Sequence, residues 1–166
     1  QAVIIASFDH DTGMEKFNYL WENGQRFEAP PRRYDKLRYQ MIMTKQKILI
    51  NHNVEDAFKE FGLKVVADSG YPKSLLFVPL VVGNRVTSYV SLQHTEKENA
   101  FTDSDVRLLE TLANSMSVAL ENARLFDETT RLLKETEQRT AELAVINSVQ
   151  EGLASELDMK AIYDMI

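Results

Sequence analysis

Alternating apolar and polar residues predict a β-hairpin in the middle of the chain. An apolar run over residues 74–82 is followed by the turn Gly83-Asn84-Arg85 and by a regularly alternating segment over residues 86–93. Such alternation is typical of a strand with one buried face, and a glycine turn between two such segments is a common hairpin connection. We therefore predict two adjacent antiparallel strands here.

Shorter patterns predict the elements before this hairpin. The segment 3–9 is rich in β-branched residues, and a second alternating segment follows a polar turn, which predicts an antiparallel pair of strands. Two further segments, 35–44 and 54–61, predict short helices, the second of which ends at Gly62. A short strand is predicted between them, over residues 48–50.

Leucines at helical spacing predict one long helix over residues 103–151, a segment without glycine or proline. Thr102 can cap the helix while Asp105 returns the hydrogen bond, and Phe101 can pack on Val106. At about 1.5 Å per residue this helix would be about 70 Å long. Because a compact domain is shorter than that, the helix is expected to extend beyond its own domain and to relay a conformational signal.

Two apolar stripes follow this helix. The residues of the first are expected to pack on a sheet or on a partner helix, and they are Leu109, Leu112, Met116, Ala119, Ala123 and Phe126. Those of the second recur at heptad spacing and include Leu132, Leu143 and Ile146. Polar residues interrupt the second stripe, so the pattern predicts a weakly held coiled coil and a homodimer through the long helix.

The composition excludes several kinds of chemistry. The 166 residues include no cysteine, which rules out disulfides, thiolate metal sites, thiol nucleophiles and thioether-linked chromophores. Residues 103–166 contain thirteen acidic and six basic residues and carry a charge of −7, whereas residues 1–102 carry +1, so nucleic acid is not an expected partner for the long helix. No apolar run is long enough to cross a bilayer. We expect a cytoplasmic protein without membrane contact.

Four short segments occur in a fixed order around the hairpin. They are a strand ending in Val78-Pro79-Leu80, the glycine turn, a strand ending in Ser91-Leu92-Gln93 and the helix start Phe101-Thr102-Asp103. This combination resembles the C-terminal half of GAF domains, the small-molecule sensor modules of bacterial signalling proteins. The resemblance implies an α+β fold, with an antiparallel sheet of five to six strands, short helices on one face and the long C-terminal helix on the other.

The resemblance also implies a domain organisation. Residues 1–126 would be a GAF-like sensor domain that lacks the family's N-terminal helix, residues 127–143 a signalling-helix linker, and residues 144–166 the opening helix of a following GAF-like domain. We therefore expect a piece of a tandem sensor region, from a protein such as a histidine kinase or nucleotide cyclase. Residues 144–166, of this chain or of a second copy, are expected to cover the sheet surface that the missing helix leaves open.

The resemblance places a ligand between one sheet face and the segments 30–61 and 66–74. In the last strand, one set of small residues suits the long helix, and this set is Val86, Ser88, Val90 and Leu92. The alternate set contains Thr87 and would line the pocket. The predicted ligand-binding residues are Tyr19, Trp21, His52, Phe58, Tyr71, Phe77, Tyr89 and Ser91. Because cores also consist of aromatic residues, core packing is the alternative for each.

Other candidate sites are weaker. The three histidines are too dispersed for a metal motif, so no metal or cofactor is expected, although one could serve as a haem ligand. Four acidic residues of the first hairpin suit a solvated hairpin end better than a catalytic pair, and they are Asp9, Asp11, Glu15 and Glu22. No enzyme activity is expected, and relatives that reduce methionine sulfoxide rely on cysteine.

Two further patterns stay open. Asn99, Phe101 and Asp105 echo a signature of cyclic-nucleotide-binding relatives, but the match is incomplete. A basic patch either meets an anionic ligand or is a solvated helix face, and it consists of Arg32, Arg33, Lys36 and Arg38. The expected function is a small-molecule-binding regulatory module that signals through its long helix to an output domain. The alternative is a ligand-free dimerisation and spacer module.

Overall fold

The computed structural model describes residues 1–64 and 70–163, with side chains described as far as Leu153. The strands are β1 (Ala2–Asp9), β2 (Met14–Glu22), β3 (Gln25–Phe27), β4 (Arg32–Arg33), β5 (Ile48–Ile50), β6 (Ser74–Val82) and β7 (Arg85–His94). The helices are α1 (Lys36–Thr44), α2 (Val54–Phe61) and α3 (Asp103–Tyr163). The chain divides into two compact units, Gln1–Glu121 and Asn122–Ile166.

The strands form one antiparallel sheet in the order β3-β2-β1-β7-β6-β5, and the two-residue β4 pairs with β2. Alternate residues of β6 separate two cores. Phe77 belongs to the cluster covered by α1 and α2, whereas Leu76 and Val78 pack against Leu109 and Ala113 of α3. We call the two sides the α1/α2 face and the α3 face. The predicted fold class is confirmed, with the two-residue strand bringing the sheet to seven strands.

A β-bulge in the central hairpin places Val86 on the opposite face from the predicted one. Leu80 pairs with Ser88 while Val81 pairs with Val86, so Thr87 is an extra residue on β7. An extra residue offsets the alternation of side chains by one position. Val86 therefore joins the α1/α2 cluster instead of facing the long helix. Beyond the bulge the alternation follows the prediction.

The start of α3 has the predicted capping box. The backbone N–H and the hydroxyl of Thr102 both donate to Oδ2 of Asp105, at 2.8 and 2.6 Å, and the backbone N–H of Asp105 donates to the Thr102 hydroxyl at 3.3 Å. These hydrogen bonds from Thr102 hold the pKa of Asp105 below its ordinary value. Phe101 and Val106 belong to the same apolar cluster, so the hydrophobic staple is also confirmed.

The part of α3 within the first unit packs on the sheet through a narrow stripe. Leu109 and Met116 contribute to it as predicted, but Leu112 is 51% exposed and Ala113 takes its place. Ala113 is four residues after Leu109, which follows the helical repeat, and its small side chain permits close contact with the sheet. Beside it, the Ser117 hydroxyl accepts a hydrogen bond from the backbone N–H of Val81 at the bulge, at 3.1 Å.

The other predicted interface residues of α3 have exposed side chains, and they are Ala119, Ala123, Phe126, Leu132, Leu143 and Ile146. Within the second unit, apolar side chains as far as Leu153 are exposed as well. α3 is one uninterrupted helix from Asp103 to Tyr163, and the predicted segment 103–151 lies inside it. The predicted boundaries at residues 126 and 143 stay predictions, and residues 164–166 of the predicted following domain lie outside the described residues.

Two adjacent leucines of α3 provide a matched test of the sheet contact. Leu109 is 6% exposed and packs on the sheet, whereas Leu108 is 61% exposed. Leu109→Ala should lower the free energy of unfolding by about 2–5 kcal/mol, because it removes buried methyl groups and leaves a cavity. Leu108→Ala should change it by less than about 0.5 kcal/mol. Urea denaturation measures both, and equal losses would contradict this packing.

Candidate functional site

Charged side chains are buried between the sheet and α1. Glu15 of β2 is 0% exposed and Arg38 of α1 is 2% exposed. Nε of Arg38 donates to Oε2 of Glu15 at 3.2 Å, and Nη2 of Arg38 donates to the Tyr89 hydroxyl at 3.1 Å. That hydroxyl in turn donates to Oε2 of Glu15 at 2.8 Å. The three side chains therefore connect β2, α1 and the central strand β7.

Two more residues complete this arrangement. Asp35 is the N-cap of α1, where Oδ1 accepts from the backbone N–H of Arg38 and Oδ2 accepts from its Nη1, both at 2.9 Å. Arg32 is the cross-strand neighbour of Glu15 through the short strand β4, and its Nε donates to Oε1 of that carboxylate. We call Glu15, Arg32, Asp35, Arg38 and Tyr89 the buried ion network. Its two carboxylates balance its two guanidinium groups.

The surroundings shift the pKa values of Tyr89 and Arg38. Burial raises the pKa of Tyr89 to about 12, although the positive charge of Arg38 opposes the shift. Burial lowers the pKa of Arg38, but the surrounding hydroxyl and carboxylates outweigh it and hold the pKa above its ordinary value. The guanidinium carbon of Arg38 also lies 5.0 Å from the ring centroid of Phe77. Arg38 is therefore held as a cation inside the domain by charge and by aromatic contact.

A cleft of about 380 Å³ opens beside the network. We call it the basic cleft, and its lining residues are Arg32, Arg33, Tyr34, Asp35, Lys36, Tyr39, Phe61, Gly62 and Lys64. Nη1 of Arg32 donates to the backbone carbonyl of Lys64 at 2.9 Å, and Nζ of Lys36 donates to that of Glu60 at 3.4 Å. These bonds hold β4 and the start of α1 against the end of α2. Arg32 and Asp35 belong to both the cleft and the network.

The structure separates the predicted ligand-binding residues. Tyr19 and Trp21 lie on the α3 face, because they pair with Ile5 and Val3 of β1, and Ile5 packs on the α3 cluster. They cannot share a pocket with Tyr89, which is on the opposite face. Phe17, Tyr19 and Trp21 alternate as one set in the sequence, but Ala6 pairs with Phe17 and Ile5 with Tyr19, so Asn18 is an extra residue on β2. This bulge offsets the alternation, and Phe17 packs on the α1/α2 face while Tyr19 and Trp21 lie on the other face.

Of the remaining six predicted residues, four are buried and two are exposed. Phe58, Phe77, Tyr89 and Ser91 are buried on the α1/α2 face. Tyr71 is 54% exposed and packs edge-on against Phe58, at 5.0 Å between ring centroids, and His52 is exposed. None of the eight lines the basic cleft. Part of the predicted pocket cover, residues 66–69, lies outside the described residues.

Two charged residues are buried, contrary to the expectation of solvated positions. Glu15 is fully buried and is not part of a solvated hairpin end. Arg38 is buried as well, so the basic patch is not simply a solvated helix face. The pairing of Glu15 with Arg32 depends on the two-residue strand β4, which has too few residues to show any periodicity. One signal in the sequence could have indicated that Arg38 is buried. It shares a helix face with the apolar residues Leu37 and Met41.

The partial cyclic-nucleotide signature has a structural explanation. Asp105 is the acid of the capping box, and Phe101 packs in the α3 cluster. Asn99 has a positive φ of 51°, and its backbone N–H donates to the carbonyl of Asn51 at 2.6 Å. Helix initiation and loop geometry therefore account for all three residues. Among the described residues, no group of three or more histidine or acidic side chains is placed to hold a metal ion.

The chain belongs to the GAF domain family, because the model of that family matches residues 1–121. GAF domains are sensor and regulatory modules, so membership confirms the predicted class of protein. No curated protein matches the sequence. None of the helices in the described part of the chain is both long and apolar enough to cross a membrane.

Solved structures show the same fold. The chain is 15% identical to the GAF domain of a two-component sensor histidine kinase from Bacillus halodurans, with 76% of this chain and 85% of that chain covered and a TM-score of 0.55. It is 13% identical to the blue-light-absorbing PixJ GAF domain from Thermosynechococcus elongatus, with 81% of this chain and 82% of that chain covered and a TM-score of 0.56. It is 15% identical to a type II free methionine-R-sulfoxide reductase from Thermoplasma acidophilum, with 70% of this chain and 75% of that chain covered and a TM-score of 0.55. At these identities the likeness concerns the fold alone.

The buried ion network should be essential for stability. Arg38→Met keeps much of the side-chain volume but leaves Glu15 without one of its cations, so the free energy of unfolding should fall by about 3–5 kcal/mol. Arg33→Met is the control, because Arg33 is exposed at the end of β4, and it should change the value by less than about 0.5 kcal/mol. Chemical denaturation at pH 7 measures both variants. Similar losses in the two would show that the network does not stabilise the fold.

Proposed function

We propose that this domain is a small-molecule-binding regulatory module, in which a ligand bound at the basic cleft changes how the sheet holds α3. One observation carries the proposal: a continuous set of hydrogen bonds leads from the cleft to the strand beneath α3. Arg32 and Asp35 line the cleft, and through Glu15 and Arg38 they connect to Tyr89.

The last step of this route crosses the sheet. Tyr89 is on the α1/α2 face of β7, and the next residue, Val90, packs on the α3 face with Val106 and Leu109. A displacement of Tyr89 would therefore move the surface on which α3 rests. The hydrogen bond from Val81 to Ser117 joins the same hairpin to α3 and supports this route. In this proposal α3 then relays the change to an output domain, and the module itself is not an enzyme.

Tyr89→Phe should separate ligand binding from the response of α3. The hydroxyl is buried and distant from solvent, so its removal leaves the cleft lining unchanged but cuts the hydrogen bonds between β7 and the network. A metabolite library is first screened by thermal shift, where a ligand at 100 times its Kd should stabilise the protein by about 2.7 kcal/mol. Hydrogen exchange of the amides of residues 106–121 is then compared with and without that ligand.

The wild-type protein should bind a compound and change its exchange in α3, whereas Tyr89→Phe should bind it with similar affinity and show a smaller change. A library without any stabilising compound would favour the alternative function, a ligand-free dimerisation and spacer module. That alternative draws on a different observation, the exposed apolar side chains of the second unit. An equal response of α3 in Tyr89→Phe would contradict the proposed route.

Homodimerisation through α3 is part of both functions. Leu132 and Ile146 are about half exposed and lie fourteen residues apart, which places them on one side of a helix with heptad spacing. Leu132→Asp combined with Ile146→Asp should shift sedimentation toward the monomer, because it places charges in an apolar contact. Lys134→Asp combined with Ser148→Asp is the control, since these positions lie nearly opposite on the helix.

A wild-type protein that sediments as a monomer at high micromolar concentration would overturn this prediction, as would equal effects of the two double variants. The cytoplasmic location and the tandem arrangement stay predictions.

A further inference from the structure

The basic cleft carries more positive charge than the structure balances. The buried ion network is neutral, because its two carboxylates match its two guanidinium groups. The cleft is also lined by Arg33, Lys36 and Lys64. In the parts of the chain that the structure describes, no carboxylate lies within ion-pairing distance of these three side chains. Among the described residues these three cations therefore have no ionic partner, which makes them candidates to bind an anion from outside the chain.

The three cations come from separate elements that meet at the cleft. Arg33 is the last residue of β4, Lys36 is the first residue of α1, and Lys64 follows α2. The bonds of Arg32 and Lys36 to backbone carbonyls near the end of α2 fix the approach of these elements. The cations therefore surround one space rather than spread along a single solvated face, and the positive end of the α1 dipole adds to the same potential.

The same cleft has an apolar wall. The rings of Tyr34 and Tyr39 meet edge to face, at 5.5 Å between centroids, and Phe61 lines the cleft near them. A volume of about 380 Å³ lies at the small end of the range of ligand sites. A charged group beside a flat apolar ring would match both parts of this surface.

We propose that the basic cleft binds a small organic anion, a phosphate or carboxylate attached to a flat apolar ring, which Arg33, Lys36 and Lys64 recognise by charge. This inference rests on the proposed function and specifies the class of its ligand. Oxyanions form strong charge-assisted hydrogen bonds with arginine and lysine, and a phosphate can accept several at once. The tyrosine rings would hold the apolar part and make the site selective against inorganic ions.

Four small compounds test separately whether the cleft recognises the anionic group and whether it recognises the ring. Phenyl phosphate, benzoate, phenol and inorganic phosphate are titrated separately into the 166-residue protein, and amide chemical shifts report binding. Phenyl phosphate should bind with shifts centred on the cleft, and phenol should bind at least about tenfold more weakly because it lacks the charge. The affinities of phenyl phosphate and benzoate are then compared. The tighter binder shows whether the cleft prefers a phosphate or a carboxylate. Affinity for both anions should fall as salt is added.

Matched variants locate the site. Arg33→Gln and Lys36→Gln should each weaken the binding of phenyl phosphate about fivefold or more. Lys16→Gln removes an equal charge from an exposed position of β2 outside the cleft, and it should change the affinity by less than about twofold. Tyr39→Ser should weaken phenyl phosphate but not inorganic phosphate. The positions are at the surface, and circular dichroism checks that each variant is folded.

The outcomes separate this inference from the proposed function. Absence of binding by both anions at about 10 mM, or equal affinities in Arg33→Gln and Lys16→Gln, overturns the anion site. If a neutral library compound nevertheless binds and alters hydrogen exchange in α3, the regulatory proposal stands without it. If phenyl phosphate binds at the cleft and no compound, phenyl phosphate included, alters that exchange, the anion site stands and the relay fails.

Discussion

The carboxylate of Glu15 is completely shielded from solvent, and the arrangement around it depends on how its charge is compensated. A buried carboxylate costs several kcal/mol unless cations and hydrogen-bond donors replace its water. Arg38 and Tyr89 supply donors to one oxygen, and Arg32 supplies one to the other. This requirement fixes α1 over the sheet and gives the two-residue strand β4 its place beside β2.

The basic cleft lies where β4, α1 and the end of α2 meet, and two of its lining residues also belong to the network. Tyr89 of β7 belongs to the network on one face of the sheet, and the other face of β7 packs against α3. A surface cleft, a buried polar route and a helix contact therefore lie in series. The fold is shared with proteins of several functions, so these particular contacts, and not the fold, support the regulatory proposal.

The sequence predicted best where local physics decides the structure. The capping box of Thr102 and Asp105 and the hairpin turn were both confirmed, because their signals lie within a few neighbouring residues. The predictions for Val86 and Trp21 were wrong about the face that each side chain occupies, and Ala113 instead of Leu112 packs on the sheet. Each depends on a bulge, a pairing register or a helix position relative to the sheet, and a strand of alternating residues does not by itself show which side meets which helix.

The sequence alone therefore determined the longer elements, their order and the family, because periodicity, turn residues and helix caps act over short distances, whereas the short strands β3 and β4 were not predicted. It also excluded thiol chemistry within these 166 residues, which contain no cysteine. Only the tertiary structure decided that Glu15 and Arg38 are buried together and that Arg33, Lys36 and Lys64 face one cleft. These residues are far apart in the chain or on different elements, and charge compensation in a low-dielectric interior acts between groups that only folding brings into contact.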